Sequence, residues 1–124
     1  MEYLFAVLIS GAALLLGVWG IKRLARATDP VVTQSKRGLA HLDEGRYDEA
    51  VSTFTAVADL DPMEPTAYYN RGLAYHYKGD LNKALADISR AIDISPEYAI
   101  AYAARGRAFS DKGDRDRAIA EYDK

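Results

Sequence analysis

Chemistry in this chain would have to start from two histidines, His41 and His76, eighteen acidic side chains and nine tyrosines. There is no cysteine, which excludes a disulfide framework, a thiolate zinc site and a cysteine nucleophile. His41 and His76 do not fall at matching places in the chain's internal periodicity, so they do not form a repeated metal-binding pair. No GxxxxGK[ST], GxGxxG, HExxH or GxSxG motif occurs. The carboxylates Asp43-Glu44, Asp48-Glu49 and Asp114/Asp116 gather where helices are expected to turn and start. There they favour the helix N-terminus and solubility. The expectation is a non-enzyme that uses no cofactor and no metal.

Charge narrows the partners. Sixteen Lys and Arg against eighteen Asp and Glu give a net −2 over 124 residues. Residues 1–28 carry Lys22, Arg23 and Arg26 against Glu2, whereas 29–124 hold 13 basic and 17 acidic side chains. A mildly acidic body lacks the basic face of a nucleic-acid binder.

The elements that must position these groups repeat every 34 residues. Arg-Gly recurs at 37–38, 71–72 and 105–106. Gly45, Gly79 and Gly113 keep the step, as do Ala50, Ala84 and Ala118, then Phe54, Ile88 and Tyr122. Pro62 and Pro96 share the phase. Each unit reads as two antiparallel helices. First helices are expected over about 32–44, 66–78 and 100–112, each stopped by a glycine that adopts the left-handed cap without a Cβ penalty. Second helices follow over about 47–60, 81–94 and 115–124, the first two ending before a proline. Gly72 and Ala84 are small residues at the crossing of one hairpin, with Tyr75 and Ile88 around them. Gly38/Ala50 and Gly106/Ala118 repeat the arrangement, with Phe54, Phe109 and Tyr122 as fillers.

The pattern resembles the tetratricopeptide repeat (TPR) family. The second unit is the fullest, with Tyr68, Gly72, Tyr75, Gly79, Ala84, Ile88, Ala91 and Pro96. The first departs, with Gln34 and His41 in the aromatic places and Val57 for Ala91. The third offers Tyr102, Gly106, Phe109, Gly113, Ala118 and Tyr122. The resemblance implies an all-α solenoid of helix hairpins, with repeats over about 31–64, 65–98 and 99–124, that binds a peptide or partner protein. Its concave surface, carried over by position, would comprise Ser35, Leu39, Leu42 and Asp43, then Tyr69, Leu73, His76 and Tyr77, then Ala103, Arg107, Ser110 and Asp111. An unused solvated face is the plainer alternative. The family's clamp for chaperone tails uses Lys, Asn, Asn, Lys and Arg at the places held here by Ser35, Leu39, Asn70, Ile100 and Ala104. Only Asn70 agrees, so chaperone-tail binding is not expected.

Arg37, Arg71 and Arg105 stand where the family often has leucine. Asp87 and Glu121 lie sixteen residues beyond Arg71 and Arg105, across the expected hairpin, while the first unit has Thr53 there. Ion pairs Arg71–Asp87 and Arg105–Glu121 inside the repeats are expected; an anion site is the alternative.

Before the repeats, Tyr3 to Ile21 contains no charged residue and no histidine. As a helix it spans about 28 Å, close to the hydrocarbon thickness of a bilayer. Tyr3 and Trp19 suit its two interfaces, and Lys22, Arg23 and Arg26 follow as a basic flank over 22–26. The expected organisation is a single-pass membrane anchor over 1–28 and a repeat domain over 29–124 on the cytoplasmic side. Ala25-Arg26-Ala27 imitates a signal cleavage site, which keeps export after cleavage as an alternative. A structural subunit whose solenoid self-associates, or completes a larger membrane complex, is the second functional expectation. The second helix of the third unit would have no neighbour on its outer side, so that end is expected to be open, with residues 115–124 the fastest to exchange amide hydrogens.

Overall fold

A computed structural model describes residues 28–113 and 115–122. Six helices follow one another: α1 Pro30–Asp43, α2 Tyr47–Leu60, α3 Pro65–Lys78, α4 Leu81–Ile94, α5 Ala99–Asp111 and α6 Arg115–Tyr122. Their starts are chemically marked. Asp29 caps α1 by accepting the Val31 N–H at 2.9 Å, ahead of Pro30 in the first turn. Glu64 caps α3 by accepting the Thr66 N–H at 3.3 Å, ahead of Pro65. Such caps satisfy donors that the first turn leaves without a helical partner. The expected first helices start one or two residues late; at α1 and α3 the reason is that Pro30 and Pro65 belong inside the helices. At the other end of α3, Gly79 holds φ +90°, which an L side chain rarely adopts.

Helices adjacent in sequence pack on each other. In addition, α1 touches α3 and α3 touches α5, whereas α2, α4 and α6 make no such second-neighbour contacts among the described residues. The array therefore closes up on the side of α1, α3 and α5, which form its inner layer. The outer layer is spread apart.

Two clusters fill the hairpins. Phe54, Val57, Ala50, Ala58, Ala67 and Ala74 form one, and Tyr69, Ile88, Ala91, Ile92, Ala101 and Ala104 the other. Tyr68 packs against both and joins them. The glycine crossings are tight. A Cβ on Gly72 would lie 2.7 Å from Ile88 Cγ1 and 3.2 Å from the Ala84 carbonyl oxygen. At Gly38 it would lie 2.6 Å from the Phe54 ring.

One expected filler is misplaced. Phe54 and Ile88 are fully buried, but Tyr122 at the same repeat position is 51% exposed, and Ile119 is 61% exposed. The reason is packing order: among the described residues α6 meets only α5.

The apolar segment 3–21 and its basic flank lie outside the described residues, as does the last part of the expected 115–124 helix. Among the described residues no helix is long and apolar enough to cross a membrane.

Candidate interaction groove

The inner helices place the expected groove residues in rows. Leu39, Leu73 and Arg107 share one repeat position on α1, α3 and α5. Leu39 is 44% exposed, Leu73 is half-buried against the second core cluster, and Arg107 is exposed. Ser35, Tyr69 and Ala103 form the row before it. Leu42, His76 and Ser110 lie on the other side, with Asp43, Tyr77 and Asp111 beyond. Leu42 packs on the Phe54 cluster, while Asp43 and Ser110 are exposed and Ser35 and Ala103 half-buried.

Tyr69 departs from the expectation of an exposed contact aromatic. It is 8% exposed, and its ring meets that of Tyr98 at 5.3 Å between centroids and 59° between planes. Tyr98 precedes α5, at a place occupied by Glu64 one unit earlier, so periodicity gave no sign of it. Burial pushes the Tyr69 hydroxyl above its ordinary pKa, while the nearby Arg107 guanidinium pulls it partly back. Tyr77, by contrast, is 58% exposed and tilts over Tyr47 at 5.4 Å. Beside it, Lys78 pairs with Asp48. His76 reaches across from α3 to α5, with Nε2 2.5 Å from Asp111 Oδ2. Ile100, at the start of α5, adds a 52% exposed apolar side chain to this surface.

The repeated arginines serve the fold. Arg71 donates from Nε to Asp87 Oδ2 at 2.7 Å and from Nη2 to Oδ1 at 2.8 Å. Its remaining Nη1 donates to Thr55 in the preceding unit at 3.2 Å. The bond to Asp87 raises the Arg71 pKa against the opposing effect of burial. Arg105 donates to Glu121 at 2.8 Å and to Ser89 at 3.4 Å. Both expected pairs are present, and each arginine also reaches back one unit. The aromatic position is similarly tied: Tyr68 donates to the Pro62 carbonyl at 3.0 Å and Tyr102 to that of Pro96 at 2.9 Å. Arg71 thus has Nε, Nη1 and Nη2 all engaged inside the repeats, whereas the buried Arg105 Nε has no hydrogen-bond partner among the described residues.

Among the described residues no three His, Asp or Glu side chains assemble as a metal-holding group. Among the described residues the inner helices expose the apolar side chains of Leu39, Tyr77 and Ile100.

Comparison with known proteins decides the family. A tetratricopeptide repeat family model matches residues 35–99, over half of the chain, and a second matches 99–124. The chain is a tetratricopeptide repeat protein. Among curated proteins none matches it. Among solved structures it is similar to the first TPR domain of Spaghetti (RPAP3) bound to the HSP90 peptide SRMEEVD. That match has 27% identity and TM-score 0.74, over 77% of this chain and 76% of the other. The Sgt2 TPR domain from Aspergillus fumigatus matches with 27% identity and TM-score 0.74, over 77% and 64%. The second TPR domain of human RPAP3, in complex with the HSP70 peptide SGPTIEEVD, matches with 26% identity and TM-score 0.72, over 76% and 78%. These TPR relatives support a protein-interaction scaffold.

Proposed function

We propose that this TPR protein is a membrane-anchored interaction module whose inner surface holds an extended peptide of a partner protein. The observation that carries the reading is the exposure of Leu39, Tyr77 and Ile100 on the layer where the hairpins converge. Folding leaves these apolar groups in water, where they are available for contact with a partner. The peptide complexes of similar TPR domains support the mode of binding. They do not transfer the ligand. The cationic places of the chaperone clamp hold Ser35, Ile100 and Ala104, of which Ala104 is buried and none is charged.

The anchor rests on the uncharged run 3–21 and the cations after it. The intact protein is expected to fractionate with membranes and resist alkaline carbonate, with residues 29–124 open to protease from the cytoplasmic side. Digestion from the opposite side alone would reverse the topology. For the groove, selection from a displayed library of random peptides against the full chain should return saturable binders. Tyr77→Ala and Leu39→Ser should weaken those binders without loss of helicity. A library that returns no binder overturns the groove reading.

The exposed Ile119 and Tyr122 favour a second reading, a structural subunit whose α6 face packs on a second copy of the chain or on a larger complex. Concentration-dependent association that survives Leu39→Ser and Tyr77→Ala but is lost with Tyr122→Ser would favour it.

A further inference from the structure

The groove contains one row in which apolar character gives way to charge. Leu39, Leu73 and Arg107 occupy the same repeat position on three neighbouring inner helices. Among the described residues no carboxylate pairs with Arg107. The nearest candidate in sequence, Asp111 one turn later on α5, is instead held across the groove by His76 at 2.5 Å. Arg107 is exposed and holds, on the inner helix α5, the repeat position that Leu39 and Leu73 hold on α1 and α3.

Resting on the peptide-groove reading, we infer that the ligand is an extended peptide whose internal Asp or Glu side chain pairs with Arg107 while apolar side chains preceding or following it lie on Leu73 and Leu39. A guanidinium takes a single carboxylate through two parallel bonds. A second carboxylate, laid over Leu39 or Ile100, would lose water and meet no cation. The diacidic chaperone tails are therefore the wrong chemistry for this surface. The acid belongs inside the peptide and not at its end because Ile100, two turns before Arg107 on α5, is exposed and open to residues beyond the acid. Neighbouring helices stand about 8–10 Å apart, and an extended chain advances about 3.3 Å per residue. The three contacts thus fall about three residues apart along the peptide.

The test uses the full chain in lipid nanodiscs and a labelled decapeptide, acetylated and amidated, with Leu at its second and fifth positions, Glu at its eighth, and Ser or Thr elsewhere. Anisotropy should show saturable binding, weakened about tenfold when Glu is replaced by Gln. On Arg107→Gln the Glu and Gln peptides should bind alike, and Arg107→Glu should prefer a Lys peptide. Arg107 is exposed, so circular dichroism should match the parent. Equal binding of the Glu and Gln peptides to the parent protein overturns the inference and leaves the groove reading standing. So does tighter binding of a Gln peptide that carries a free C-terminal carboxylate. If none of these peptides binds, the inference fails, and the random-library selection then decides whether the groove reading falls with it.

Discussion

Arg71 meets two oxygens of Asp87 and the hydroxyl of Thr55, so one side chain closes its own hairpin and fastens the preceding one. Its side chain is 20% exposed and that of Asp87 11%. Removing one partner strands the other charge, whereas replacing both by apolar groups does not. Asp87→Ala is expected to cost about 3 kcal/mol in denaturant unfolding, and the double variant Arg71→Met, Asp87→Leu clearly less. A double variant as unstable as the single one would show that the pair itself, and not a stranded charge, carries the stability. This pair was legible because a sixteen-residue offset across a 34-residue hairpin recurs in two units. Tyr69 was not legible as core, because its partner Tyr98 has no counterpart one unit earlier. Its burial has a pH consequence. Tyr69 and Tyr98 both have pKa values raised by burial above the ordinary 10.0. The unfolded chain therefore loses these protons first. Their contribution is fully present below about pH 10 and is lost as pH rises through the folded values. Tyr69→Phe should flatten the alkaline fall in stability; an unchanged alkaline limb would contradict that origin.

At the scale of the helix, the crossings are set by glycine. Gly72→Ala would improve helix propensity by about 1 kcal/mol. It would also force Ile88 and the Ala84 carbonyl apart, and overpacking of this kind costs about 1–3 kcal/mol. A carbonyl is backbone and yields little, so a net loss is expected on thermal unfolding. Gly72→Ala as stable as the parent would mean that α3 and α4 slide apart freely. The helices themselves were readable from glycine, proline and the 34-residue step, to within two residues at their starts. The burial of position 122 was not, because periodicity assigns each residue a place without showing whether the next element is there to cover it. Gln34 and His41 in the first unit show a related limit: the hairpin forms although two of its aromatic places are polar, since Phe54 and Val57 supply the buried volume.

In the molecule as a whole, stability in stacked repeats comes from each unit and its nearest neighbours. Among the described residues α6 packs on α5 alone, and a helix with little packing is marginal. Amide exchange should be fastest in α6 among the six described helices and slowest in α3 and α4, whose hairpin has another repeat unit packed on each side. Slow exchange in α6 of a proven monomer would contradict this order. The two joints between units also use the same parts at the same offsets. Tyr68 and Tyr102 fasten to Pro62 and Pro96, and Arg71 and Arg105 fasten to Thr55 and Ser89. A duplicate of residues 65–98 spliced in behind residue 98 would find Pro96 and Ser89 waiting, and would present its own proline and serine to Tyr102 and Arg105. The protein can thus be lengthened by tandem duplication of one 34-residue block, with no new joint to invent.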